Sequence, residues 1–172
     1  GDEQMRFRNL TAAMILICIL QPATSKADSN DEFKAVRETM VRVQIAGGIF
    51  GRQPVRDKAV LDAMRNVQRH KFVPDSMRNQ AYKDTPLPIG NSQTISQPYI
   101  VAFMTEALQT KPGDTILEIG TGSGYQAAVL AEIVDHVYSI EIVPELGKRA
   151  ASILSALNYE NIQLRIGDGY LG

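Results

Sequence analysis

The chain predicts an α/β fold in which a parallel sheet, its strands alternating with helices, follows an amino-terminal run of helices. Two features predict it. From residue 114 onward, apolar and β-branched runs at 114–119, 136–141 and 162–166 alternate with helical patterns at 125–134 and 144–157, the β-α-β order of a parallel sheet. Between the first of these strands and its helix lies Gly120-Thr121-Gly122-Ser123-Gly124, where glycine lets the backbone reach positive φ and come close to a ligand. With 172 residues, 44% of them hydrophobic, and a formal net charge of −1, one core is the natural count. The expected division is a leader and linker over 1–30 and one domain over 31–172. No basic surplus points to nucleic acid, and the absence of Trp removes one kind of stacking platform for single strands.

Taken in order, the elements begin with a leader. Met5-Arg6-Phe7-Arg8 supplies positive charge, residues 10–20 form an apolar run short for a bilayer, and Ser25-Lys26-Ala27 offers a small-x-small cleavage site. That is a signal-peptide pattern over 5–27. Cys18 follows Ile17, where a lipid-attachment box wants a small residue, and residues 1–4 read as an upstream extension or an expression remnant. After a polar linker, Asp31 is a candidate cap for a helix over 32–46 that closes at Gly47-Gly48, with Phe33, Val36, Met40, Val43 and Ile45 as its apolar face. Residues 57–67 and 75–82 read as two more helices. Ser96 is a fair N-cap for a helix with Pro98 in its first turn and Ile100, Val101, Met104, Ala107 and Leu108 as its apolar face. The same helix start, with the Thr94 and Ser96 hydroxyls beside it, also favours a carboxylate, and one residue can serve both roles. Residues 31–110 thus form a helical region and 111–172 the sheet region. In the latter, 114–119 reads as a buried strand, 125–134 as its helix, 136–141 as the next strand, 144–157 as a helix opened by Pro144, and 162–166 as a third strand.

The glycine loop narrows the ligand. A dinucleotide fingerprint wants a third glycine where Tyr125 stands, and no triphosphate loop motif occurs. Glu118, just before the first glycine, repels phosphate and suits a cation. These features point to S-adenosylmethionine, with its sulfonium and amino group. Glu141, about twenty residues beyond the first glycine, stands where a carboxylate takes ribose hydroxyls; the plain alternative is an ordinary strand-end acid. Gly167-Asp168-Gly169 stands where a third loop meets the adenine, and is also a good plain turn. His70, His136 and Cys18 are too few and too scattered for a zinc site or a Cys-His pair, so no metal is expected. Neither histidine has a visible reason to sit beside Ser92, Ser96 or Ser123, as a serine hydrolase requires; a structural role is expected for each.

The segment Pro86-Leu87-Pro88-Ile89-Gly90-Asn91-Ser92-Gln93-Thr94-Ile95-Ser96-Gln97-Pro98-Tyr99, followed by residues 117–125, resembles the protein-L-isoaspartate O-methyltransferases. The likeness extends through Val60-Leu61-Asp62-Ala63-Met64, Arg69-His70-Lys71-Phe72-Val73-Pro74 and Ala81-Tyr82-Lys83-Asp84 to Gly167-Asp168-Gly169, covering roughly residues 36–172. It implies a class I S-adenosylmethionine-dependent methyltransferase fold, Rossmann-like, with a helical amino-terminal region. It further implies methyl transfer to the free α-carboxylate of L-isoaspartyl residues in damaged proteins and peptides, starting repair through methyl ester and succinimide. By the same resemblance Ser96 belongs to the active centre, and Thr94, Ile95 and Ser96 to substrate binding. The cofactor falls to Gln93, Thr94, Glu118, Gly120, Thr121, Gly122, Ser123, Gly124, Glu141, Ile142, Asp168 and Gly169. The acceptor acid, with a pKa of about 3.5, is ionised at neutral pH, so no general base is required.

The family pattern continues beyond the Gly-Asp-Gly turn with further strands, whereas only three strands of the sheet are expected here. The expectation is weak cofactor binding, poor turnover, and association through an open apolar edge. Two other readings stay open: methylation of a different acceptor such as a small acid or RNA, against which residues 93–98 speak, and a nucleotide-sensing or scaffold fragment without catalysis. S-adenosylmethionine is made in the cytosol and leaderless family members are cytoplasmic. A cytoplasmic location is therefore expected, with export to the periplasm through residues 5–27 as the alternative and membrane contact only through an uncleaved leader.

Overall fold

The computed structural model describes residues 28–48 and 51–171. The leader-like segment, with the location that hangs on it, lies outside these residues. Among them no helix is long and apolar enough to cross a membrane.

The first helix, α1 (Asp28–Thr39), starts before Asp31, so Asp31 is a helical residue and not the expected cap. It continues into a π-helical segment, Met40–Ile45, that buries Met40, Val41 and Ile45. The wider winding, bonded i to i+5, moves the apolar face off its expected line. Val36 and Val43 remain 47% and 37% exposed, and Val41 takes their place inside. Helix α2 (Lys58–Asn66) is capped by Asp57, whose carboxylate accepts the Val60 N–H at 3.1 Å, and it buries Val60, Ala63 and Met64. The expected third helix is a 3-10 segment, Asp75–Gln80, preceded by a short 3-10 turn at Arg69–Lys71.

Next comes an antiparallel hairpin that the periodicity did not predict, β1 (Leu87–Gly90) with β2 (Gln93–Ile95). Its two turn residues, Asn91 and Ser92, have φ of 51° and 57°, the left-handed pair of a type I′ turn. Leu87, Ile89 and Ile95 point into the core. Helix α3 (Pro98–Ala107) has Gln97, not Ser96, at its N-cap, with no side-chain cap bond. The acceptor near its first turn is Asp84, which takes the Tyr99 N–H at 3.1 Å. The helix buries Val101, Ala102 and Thr105, while Met104 and Leu108, expected on its apolar face, are 51% and 54% exposed.

The main sheet has the order β3-β4-β5, all parallel, from β3 (Thr115–Ile119), β4 (His136–Glu141) and β5 (Ile162–Ile166). Helices α4 (Tyr125–Ala131) and α5 (Pro144–Ala156) make the crossovers. Helix α4 buries Tyr125, Ala127, Ala128, Val129 and Leu130, since it contacts the sheet as well as α2 and α3. An apolar helix buried on several sides joins the helical region to the sheet. One expectation fails here: β3 is not a buried strand, because Leu117 and Ile119 are 57% and 56% exposed on its open side. The parallel strands put their carboxyl ends, Ile119 and Glu141, on one rim of the sheet. That is where a ligand site belongs in an α/β fold.

Candidate active site

The loop after β3 is built from glycine by necessity. Gly120 and Gly124 have φ of 92° and 86°, a region that side-chain-bearing residues rarely enter, while Gly122, at 55°, leaves the backbone open to close approach. Its backbone is pinned where Gly120 N–H donates to Ile140 O at 2.7 Å and Gly124 N–H to Thr121 O at 2.8 Å. Two carboxylates brace it. Glu141, 4% exposed, accepts the Gly122 N–H at 2.6 Å and the Val143 N–H at 2.9 Å. Glu118 accepts a hydrogen bond from the buried Ser139 hydroxyl, which lies 2.6 Å from that of Thr121. Burial pushes the Glu118 carboxyl up to about 7; the nearby Glu141 charge adds to this and the Ser139 bond opposes it.

Above the loop lies a hollow of about 170 Å³. One wall is Thr94, Ile95 and Ser96 from the hairpin; the other is Glu118 with Gly120, Thr121, Gly122 and Ser123. This is smaller than the roughly 300–1,000 Å³ of pockets that enclose a whole small ligand, so it suits the reacting end of one. The exposed Ser96 is relieved of capping, and its carbonyl accepts Arg69 Nη2 at 2.7 Å.

The remaining expected residues lie outside this hollow. Gln93 is exposed at the start of β2. Gly124 is buried as a packing residue: a Cβ there meets Ala150 at 3.3 Å and Leu154 at 3.4 Å. Glu141 sits behind the loop rather than in the cavity, and Ile142 is 66% exposed beyond the end of β4. Asp168 is exposed and takes the Tyr170 N–H at 2.9 Å. Gly169 packs so tightly on Ile119 that a Cβ would come within 2.5 Å of it, which brings the final turn to the hollow's edge, since Ile119 is a lining residue.

Met104, Tyr125 and Gln126 line the cavity without having been expected there. Gln126 had a signal, as the one amide in an apolar helix; its Nε2 donates to the buried Thr105 hydroxyl at 2.8 Å. The histidines stay structural or peripheral. His70 Nδ1 lies 2.7 Å from the Tyr82 hydroxyl, its ring stacks on Phe33 at 4.1 Å, and burial lowers its pKa to about 4. His136 is exposed at the start of β4.

A hairpin carrying the Gln-Thr-Ile-Ser run thus faces a methyltransferase-type glycine loop, and the profile of one family, protein-L-isoaspartate(D-aspartate) O-methyltransferase, matches residues 38–172. The chain belongs to that family. It is 51% identical over 169 residues to the protein-L-isoaspartate O-methyltransferase of Opitutus terrae, covering 98% of this chain and 68% of that protein. Against the protein-L-isoaspartate O-methyltransferase of a Picosynechococcus species it is 55% identical over 142 residues, 83% of this chain and 62% of the relative. The chain spans more than half, and for most of them less than two thirds, of the length of the curated relatives it matches. Among solved structures, a Plasmodium falciparum protein-L-isoaspartate O-methyltransferase in complex with S-adenosyl-L-homocysteine superposes with a TM-score of 0.63 at 25% identity, over 80% of this chain and 64% of that one. In the isoaspartate methyltransferase family the α/β sheet found here is the class I S-adenosylmethionine-dependent methyltransferase fold.

Proposed function

We propose that this protein transfers a methyl group from S-adenosylmethionine to the free α-carboxylate of L-isoaspartyl residues in proteins and peptides, the first step of their repair. The observation that carries this reading is the meeting of Thr94-Ile95-Ser96 with the glycine loop across one hollow. Bound there, S-adenosylmethionine supplies an electrophilic methyl on a sulfonium centre. The donor set fits such a cation: the Glu118 carboxyl lines the cavity, and the glycine backbone can be approached closely.

The acceptor needs no base, being ionised at neutral pH. What remains for the chain is to orient and to exclude water. Ser96 and Thr94 offer hydroxyls to the acceptor carboxylate; Glu118 faces the donor's positive charge; Met104 and Ile119 supply apolar wall. Glu141, buried behind the loop, serves the ribose end by holding the loop backbone through Gly122, and Asp168 with Gly169 and the exposed Ile142 border the nucleoside end. Gln93 stands at the outer rim and Gly124 shapes the loop from below.

Labelled S-adenosylmethionine tests the reading. Label enters an isoaspartyl peptide and not its normal aspartyl twin; equal labelling of both, or of RNA or a small acid instead, overturns it. We place the activity in the cytoplasm, where the cofactor is made. A fusion of residues 1–30 to a phosphatase active only outside the cytoplasm stays silent on this view, and an active fusion assigns the protein to the periplasm.

A further inference from the structure

Arg69 lies wholly inside the protein, 0% exposed, where a charged side chain is costly unless fully paired. Its pairing is incomplete. Nε donates to the Ala81 carbonyl and Nη2 to the Ser96 carbonyl, each at 2.7 Å, but Nη1 meets no acceptor among the described residues. The nearby Asp84 carboxylate is already taken by Arg52 and by the Tyr99 N–H. The guanidinium lies 4.8 Å from the centroid of the Tyr125 ring, a cation–π contact. Ser96 and Tyr125 both line the hollow, Ser96 on its hairpin wall and Tyr125 at the head of α4.

Stability accounts for part of the guanidinium, which satisfies the Ala81 and Ser96 carbonyls, but not for its third nitrogen, an orphan donor that a dry interior disfavours. The position has another consequence. A buried cation whose nearest carboxylate, Asp84, is shared with Arg52 and the Tyr99 N–H projects part of its field through a low-dielectric wall, and this wall carries the hydroxyls that face the acceptor. We propose that Arg69 is a positioning residue for the transfer: it ties the Ser96 backbone to the glycine-loop helix and places positive charge behind the surface on which the acceptor carboxylate rests. The proposal rests on the isoaspartyl reading above and adds how that carboxylate is selected.

The experiment compares Arg69→Met and Arg69→Lys with the unaltered protein, reading kcat and KM for an isoaspartyl peptide and, in parallel, the affinity for S-adenosylhomocysteine. In Arg69→Met the peptide KM rises by about tenfold or more while S-adenosylhomocysteine affinity stays within about threefold, and Arg69→Lys recovers part of the loss by restoring charge. The proposal is overturned by an unchanged KM in a folded Arg69→Met, or by peptide and cofactor affinities falling together by one factor. Failure of both variants to fold also overturns it, since a purely structural role then suffices. If the unaltered protein leaves the isoaspartyl peptide unlabelled, the functional reading itself fails and this inference falls with it; labelling by the unaltered protein with no KM change in the variants sinks the inference alone.

Discussion

Ser96 shows how far a single residue's role depends on its neighbours. It has the chemistry of a helix cap, yet Gln97 occupies the cap position and Asp84 takes the Tyr99 N–H, so the Ser96 hydroxyl is left to the hollow. Ser96→Ala is expected to lower the rate of isoaspartyl methylation about ten- to a hundredfold, the worth of one hydrogen bond to a charged group, without changing S-adenosylhomocysteine affinity or thermal stability. Steady-state kinetics beside calorimetry checks this. Glu118 makes a second prediction. Its folded pKa of about 7 lies above the ordinary 4.5, so its contribution to stability is complete below about 4.5 and is lost as pH rises through about 7. His70 runs the other way: its pKa is lowered to about 4 from 6.5, so stability present above 6.5 is lost as pH falls towards 4. Denaturation midpoints of Glu118→Gln and the unaltered protein, compared from pH 5 to 8, isolate the first effect as a difference that grows with pH. Because a bound cation favours the ionised carboxylate, S-adenosylmethionine affinity should rise over the same range, and the substitution should flatten it.

At the scale of elements, the site depends on caps supplied across the chain. Glu106 of α3 accepts the N–H groups of Arg56 and Asp57 at 2.6 and 2.7 Å, anchoring the entry to α2. Asp84 serves α3 while pairing with Arg52. Asp57 caps only its own helix. Replacing Asp57 by Ala should therefore cost about 1 kcal/mol, and replacing Asp84 by Ala about 2 kcal/mol because the largely buried ion pair is lost too. Urea denaturation measures both, and equal costs would falsify the view that Asp84 holds two partners. Helix α3 and the glycine loop were each marked by local residues, Pro98 and the three alternating glycines, whereas the hairpin was not read, its strands being too short for a period to show. The mutual contact of the three was not marked either, because Asp84 and Arg69, which draw them together, sit in a polar loop where charge ordinarily signals exposure.

At the scale of the whole molecule, the sheet is covered unevenly. Helices α4 and α5 pack beside β4 and β5, while the open side of β3 presents Leu117 and Ile119 next to Phe103, Met104 and Leu108 of the α3 region, all between 43% and 57% exposed. Among the described residues β3 pairs with β4 alone, and an unpaired strand edge beside an apolar strip promotes self-association. Sedimentation velocity on these 172 residues should show a weight-average mass that rises with concentration, and Leu117→Lys should reduce the effect. A monomer at all concentrations rules this out.

The alternation of strand and helix, the glycine loop and the acids at 118 and 141 were legible in the sequence because each is a local pattern, set by backbone sterics and side-chain period. Which face of a helix is inside was decided only by tertiary structure, as the π-helical turn at Met40–Ile45 and the outward Met104 show. So was the division of labour between the two acids. Glu118 lines the cavity and Glu141 braces the loop behind it, a distinction of a few ångströms that depends on how β3 and β4 pair. Burial does the rest: it holds an arginine under the acceptor wall and lifts a carboxyl towards neutrality, and burial is a property of the packed chain that no short run of residues contains.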